Sequence, residues 1–290
     1  MFVAGPSSLI IGQQAELNIA FVDGEYNPVA GFYGDLRITI NEGQAEITDA
    51  IDLDLAEGWL TVPFIPTETG MLRIDISARG GLFKESVNPM IVSQEPAQQQ
   101  LFWGDIHSHS HFSHDGVGQD PFSYGRNITR LDFYARTDHS WVPEAGFTHG
   151  LANHAWEEYI ALADDYNEPG RFATLHAYEA SFGSPFGHHN VYFRGKPGPL
   201  LAPQVVTLPE MWELLTKGEA LTIPHHTGKF PQSLSWSPHD PSFRRNFELY
   251  SAHGLSETYD PEHPLAFEQS DFTTPSRSAS GPPSDGRTSV

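Results

Sequence analysis

Residues 172–193 read FATLHAYEASFGSPFGHHNVYF. Two short apolar strands are written into this stretch. Glu179 follows the aromatic centre of the first, and His188 and His189 stand just before the second. The fold assigned to the second half of the chain turns on how such strands are joined. LFWGDIH (101–107), LDFYART (131–137), ALTIPHH (220–226) and FELYSAHG (247–254) are further strands of the same kind. Between them, GLANHAWEEYIALADDYN (150–167) and LPEMWELLTKGE (208–219) read as helices. Trp156, Tyr159 and Ile160 share one helical face, and Pro209 suits a first helical turn. Strand–helix alternation predicts a parallel sheet or barrel. Most histidines fall at predicted strand ends, the edge where parallel α/β folds build their sites.

The first half is different. AELNIAFVD, GDLRITINE, GWLTVPFIP and GMLRIDISA alternate apolar and polar residues with period two, between Gly, Pro, Asn and Asp. Residues 1–95 are expected to form an immunoglobulin-like β-sandwich with an accessory role. SQEPAQQQ marks a linker at 96–100, and 101–263 is the expected catalytic domain. Residues 264–290 are rich in Ser, Pro and Gly and are expected to be a disordered tail.

Composition narrows the chemistry. The 290 residues carry a net charge of −21, with 16 basic residues, so a nucleic-acid partner is not expected. No apolar window approaches a membrane span, and the N-terminus lacks a basic leader, which predicts a soluble, cytoplasmic protein. There is no cysteine, so any metal must be held by nitrogen and oxygen, which favours zinc, manganese, iron or magnesium. All 15 histidines lie between His107 and His263, which points to one site in one domain.

GDIHSHSHFSHDG (104–116) is the densest cluster. On a strand, His107 and His109 point to the same face and can reach one ion. Asp105 shares that face and can orient a ligating imidazole through its other ring nitrogen. Asp115 is expected in a similar supporting position; in ARTDHS, adjacent Asp138 and His139 point to opposite sides, so one can ligate and the other can orient or bridge. Glu179 can bridge two cations, as a neutral imidazole does not, whereas His176 is expected to be structural. In the adjacent pairs, His188–His189 and His225–His226, the neighbours should face opposite ways, leaving one ligand in each. His253 of SAHG is a further candidate.

Together, GDIHSHSHFSHDG, TDH, YEASFGSPFGHHNVYF, PHH and ELYSAHG resemble the PHP (polymerase and histidinol phosphatase) superfamily over about residues 101–260. They resemble most the PHP-like family listed as a domain of unknown function, which has aryl sulfatase and phosphatase members. The resemblance implies a distorted (β/α)7, TIM-like barrel with two or three metals at the strand ends. Carried over by position, it implies His107, His109, His139, Glu179, His188 and His225 as ligands. It also implies a late D-x-H motif, which is missing after His253; DPEH at 260–263 has the wrong spacing. A C-terminally truncated barrel is therefore expected.

The expected function is metal-dependent hydrolysis of a small phosphate or sulfate ester. Glu179 would bridge the ions that activate water. His226, Lys229 or Arg136 would offset charge on the leaving group. The first alternative is an inactive metal-binding or interaction module. The second is an amidohydrolase-like enzyme, disfavoured because no bridging lysine or late catalytic aspartate is evident.

Overall fold

Alternating burial builds the first half of the chain. The computed structural model describes residues 1–118, 120–140, 150–227, 234–251, 254–256 and 262. Two compact units form, one from residues 1–104 and 122–133 and the other from 105–121 and 134–290.

The first unit contains β1 (Phe2–Ala4), β2 (Ser8–Ile10), β3 (Ala15–Ala20), β4 (Phe32–Glu42), β5 (Ala45–Glu46), β6 (Ala50–Leu55), β7 (Trp59–Pro66), β8 (Gly70–Ala78), β9 (Phe83–Ser86) and β10 (Met90–Ser93). One sheet runs β1-β3-β7-β5; the other runs β2-β10-β8-β4-β6, with β9 beside β8. In β8, Leu72, Ile74, Ile76 and Ala78 are buried, while Arg73 and Asp75 between them are not. They meet Leu17, Ile19, Leu36, Val62 and Phe64 in one core. Each such Leu or Ile contributes about 1.5–3 kcal/mol by burial. Buried among them, Asn18 donates its side-chain amide to the carbonyls of Asn127 and Ile128. Those carbonyls close a π-helical stretch, Tyr124–Ile128, that continues the short turn α1 (Pro121–Ser123).

The second unit is organised by β11 (Gly104–Ser108), β12 (Phe133–Arg136), β13 (Ala173–Ser181), β14 (His188–Phe193) and β15 (Ala220–His225). They form one sheet in chain order. The first two are parallel, with Asp132 N bonded to Trp103 O and Thr137 N to Ser108 O. A parallel bridge between His139 and Glu179 extends this to β13. From there the sheet turns antiparallel, with Glu179 opposite Asn190 and His188 opposite both Ser181 and His225. The helix α2 (Trp156–Tyr166) covers one face through Tyr159 and Ala163. A Thr207–Glu210 capping box starts α3 (Leu208–Leu214), which buries Leu208, Met211 and Trp212. The short pair β16 (Tyr250–Ser251) and β17 (Gly254–Leu255) follows.

This corrects the expected architecture. A (β/α)7 barrel needs parallel strands joined by helical crossovers, and parallel neighbours need a dozen or more connecting residues. Only residues 182–187 join β13 to β14, and the pair is antiparallel. The described strands of this unit form an open mixed sheet and a small hairpin, not a TIM-like barrel, so there is no truncated barrel to account for. The expected tail at 264–290 lies outside the described residues. No described helix is long and apolar enough to cross a membrane.

Candidate metal centre

Pairing register decides which side chains of the sheet meet. Glu179 and Ser181 on β13, His188 on β14 and His225 on β15 project from one face. His176 and His189 project from the other. There His176 bonds Gly195 O and Asp164, which is a structural role. His189 is fully buried near Phe182, and burial, with the Arg244 charge second, lowers it to about 3.

Glu179 is the centre of the cluster, with its side chain 1% exposed. Its Oε2 faces His107 Nε2 at 3.4 Å and His109 Nε2 at 3.0 Å. Its Oε1 faces His139 Nδ1 at 3.2 Å, His188 Nδ1 at 2.8 Å and His225 Nε2 at 3.3 Å. The two oxygens thus divide five imidazoles into two sets. Asp115 closes the outer side, with Oδ1 2.9 Å from His109 Nδ1 and Oδ2 3.2 Å from His139 Nε2.

Among the described residues, three groups have ligand atoms close enough to share an ion: His107–His109–Glu179, His109–Asp115–His139 and His188–His225–His226. The donor set fits a divalent metal. Two ligands about 2.0–2.1 Å from a tetrahedral ion lie about 3.3 Å apart, the spacing found around Glu179. His225 is fully buried, and its Nδ1 has no hydrogen-bond partner among the described residues. Leaving such a group unsatisfied is costly, and an ion would satisfy it.

Charge distribution agrees. Burial would raise the Glu179 carboxyl, but hydrogen bonds from His107, His109 and His139 hold it well below the usual range. His225 is itself driven well below its ordinary value by burial, so the balancing positive charge resides on other rings. Burial opposes charge on His107 too, but hydrogen bonds to Glu179 and Glu248 raise it to about 10. His139 reaches about 9 against burial, through Glu179 and then Asp115.

Local structure explains the convergence. β11 ends at Ser108, so His109 lies just beyond the strand, yet its ring meets the same Glu179 oxygen as that of His107. Asp138 is fully buried and anchors the turn at residue 110, accepting from Ser110 N and Oγ at 2.7 Å each. Gly116 lets that turn close: a Cβ there would sit 2.1 Å from Ser110 O.

Two expectations about orientation are corrected. His225 and His226 do not face opposite ways, because His226 has φ +51°, which turns both rings toward His188. Such a non-glycine conformation is strained and persists where surrounding structure holds it. Asp105 does not orient the His107 ring. Its Oδ1 accepts the His107 backbone N–H at 2.9 Å, while Glu248 meets the ring Nδ1 at 2.7 Å.

Arg136 is not brought to the centre. It is buried 3.8 Å over the Tyr159 ring, donates to Tyr159 O and lies 3.7 Å from Asp138. Lys229 and His253 lie outside the described residues. Sequence reasoning missed Ser181 and Glu248. Ser181 Oγ donates to Glu179 at 2.7 Å and sits 2.5 Å from His139 Nδ1. It stands two residues after Glu179 on a strand, so the period-two rule could have found it. Glu248 had no such signal.

Among comparisons with known proteins, a family model described as a protein of unknown function (DUF3604) matches residues 130–229, about a third of the chain. No curated protein matches. Among solved structures, the D00-D0 domain of Intimin is 12% identical, with TM-score 0.27 over 32% of this chain and 46% of that one. The D0-D1 domain of Intimin has TM-score 0.29 at 12% identity, over 36% and 56%. Domains 4 and 5 of the S-layer protein SbsC give 0.24 at 20%, over 32% and 44%. The chain thus spans about half the length of these structures.

The PHP resemblance is corrected accordingly. The family model that matches is one of unknown function, and the sheet of described strands is open and mixed. The matching family model carries no PHP, TIM-like barrel, hydrolase, phosphatase or sulfatase label, and the labels that came with the resemblance are withdrawn.

Proposed function

We propose that this chain binds two or three divalent ions around Glu179 and, through them, hydrolyses a phosphate or sulfate ester. The metal-binding part of the proposal stands on the site's own chemistry, and the ester is the substrate class to be tested. One observation carries it: a single buried carboxylate whose two oxygens face five imidazoles at 2.8–3.4 Å. Without ions, so many basic rings around one carboxylate would be a poor way to stabilise a fold.

When bound there, zinc, manganese or iron would supply the Lewis acidity that activates water and polarises an ester. The chain's residues do the rest. Glu179 offers one oxygen to each set of rings and holds the sets a fixed distance apart. His107, His109, His139, His188 and His225 supply neutral nitrogens. Asp115 is the most exposed member at 40%, which suits it to take a proton from entering water. His226, beside His188 and His225, is placed to meet negative charge on the leaving group.

The test is elemental analysis of purified protein, followed by nitrophenyl phosphate and nitrophenyl sulfate assays before and after chelation. About two or more ions per chain with chelator-sensitive hydrolysis is the expected result. A protein that takes up no metal overturns the proposal. Bound metal with neither ester cleaved overturns the catalytic part and leaves a metal-binding module.

A further inference from the structure

Glu248 belongs to none of the three ligand groups, yet its Oε2 sits 2.7 Å from His107 Nδ1. The opposite ring nitrogen, Nε2, faces Glu179 Oε2 at 3.4 Å. We propose that Glu248 is a positioning residue. It accepts a hydrogen bond from His107 Nδ1–H, fixes the rotation and tautomer of the ring, and so leaves Nε2 as the ligating nitrogen. This inference rests on the metal reading above.

A neutral imidazole carries one N–H and one lone pair. A ring that ligates through Nε2 must hold its proton on Nδ1, and a half-buried N–H there needs an acceptor. The neighbouring carboxylate, Asp105, is committed to the His107 backbone N–H. Glu248 is the acceptor that the fold supplies instead, from 141 residues away.

The backbone explains its placement. Glu248 N–H donates to Pro224 O at 3.0 Å, immediately before His225. The segment after β15 is thereby pinned to the strand that carries His225, and its carboxylate closes the centre on the His107 side. The Glu248 side chain is 21% exposed, so its bond is only partly screened. Carboxylates that orient a ligating histidine typically account for about 10–100-fold in metal affinity.

Zinc affinity would be measured by chelator competition for the wild type, Glu248→Leu and Glu248→Gln. Nitrogen NMR of the histidine rings would report the His107 tautomer. The expected result is about 10–100-fold weaker zinc binding in Glu248→Leu. Glu248→Gln, whose amide oxygen still accepts, should recover part of it. The zinc-loaded wild type should show the His107 Nδ1–H signal displaced by its hydrogen bond to Glu248, with that displacement lost in Glu248→Leu. Equal affinity and an unchanged Nδ1–H signal in Glu248→Leu would overturn the positioning role alone. A wild type that binds no zinc would overturn the metal reading, and this inference with it.

Discussion

Replacing Glu179 by Gln keeps the side chain's shape and removes its charge. In the metal-free protein, burial opposes the charge on His139, and Glu179 is the larger of the two carboxylates that raise it to about 9. With Asp115 alone opposing burial, the ring should return to its ordinary value of about 6.5 or below. That fall of about 2.5 units corresponds to roughly 3 kcal/mol of lost interaction. His107 keeps Glu248 and should fall less from its value of about 10. Metal binding suffers more. A residue that merely orients a ligand accounts for about 10–100-fold, so losing an oxygen shared by two sets of rings should exceed about 100-fold. NMR titration of the ring protons from about pH 5 to about pH 10, beside zinc competition, measures both effects. His139 still titrating near 9 in the variant, or zinc affinity unchanged, would refute the reasoning.

The raised values of His107 and His139 stabilise the metal-free fold fully below the unfolded value of about 6.5. That contribution is lost as pH rises through about 9 and about 10, so the melting midpoint of metal-free protein should fall over this range. Zinc needs both rings neutral, so its binding near neutrality should release protons and weaken as pH falls. Calorimetry in buffers of different ionisation heat counts those protons, and none released would contradict the site. Gly116→Ala would press a methyl against Ser110 O and displace the turn that carries Asp115; weaker zinc binding with an intact fold is expected, by competition assay and circular dichroism. Asn18→Ala would strip the donor from the Asn127 and Ile128 carbonyls. It should cost about 1–3 kcal/mol in urea unfolding and leave the zinc content of folded protein unchanged.

Parts of the fold were legible in the sequence, though not all were drawn correctly. Period-two alternation exposed β3, β4, β7 and β8, because each buries one face. The helices α2 and α3 were visible through their apolar faces and Pro209. The antiparallel pair β13–β14 was also legible, since residues 182–187 are too few for a crossover. The alternation rule overrode that signal and produced a barrel.

The sequence by itself determined the donor chemistry. With no cysteine and every histidine after residue 106, it limits any metal site to nitrogen and oxygen ligands, and it marks Glu179 as a carboxylate able to bridge. Only the tertiary structure decided which rings share an oxygen, that His226 turns inward, and that Glu248 holds His107. Those outcomes depend on strand register, on one left-handed backbone angle and on a contact across 141 residues. None of these leaves a periodic trace in the chain, because each is fixed by how the sheet packs and not by what lies next to what.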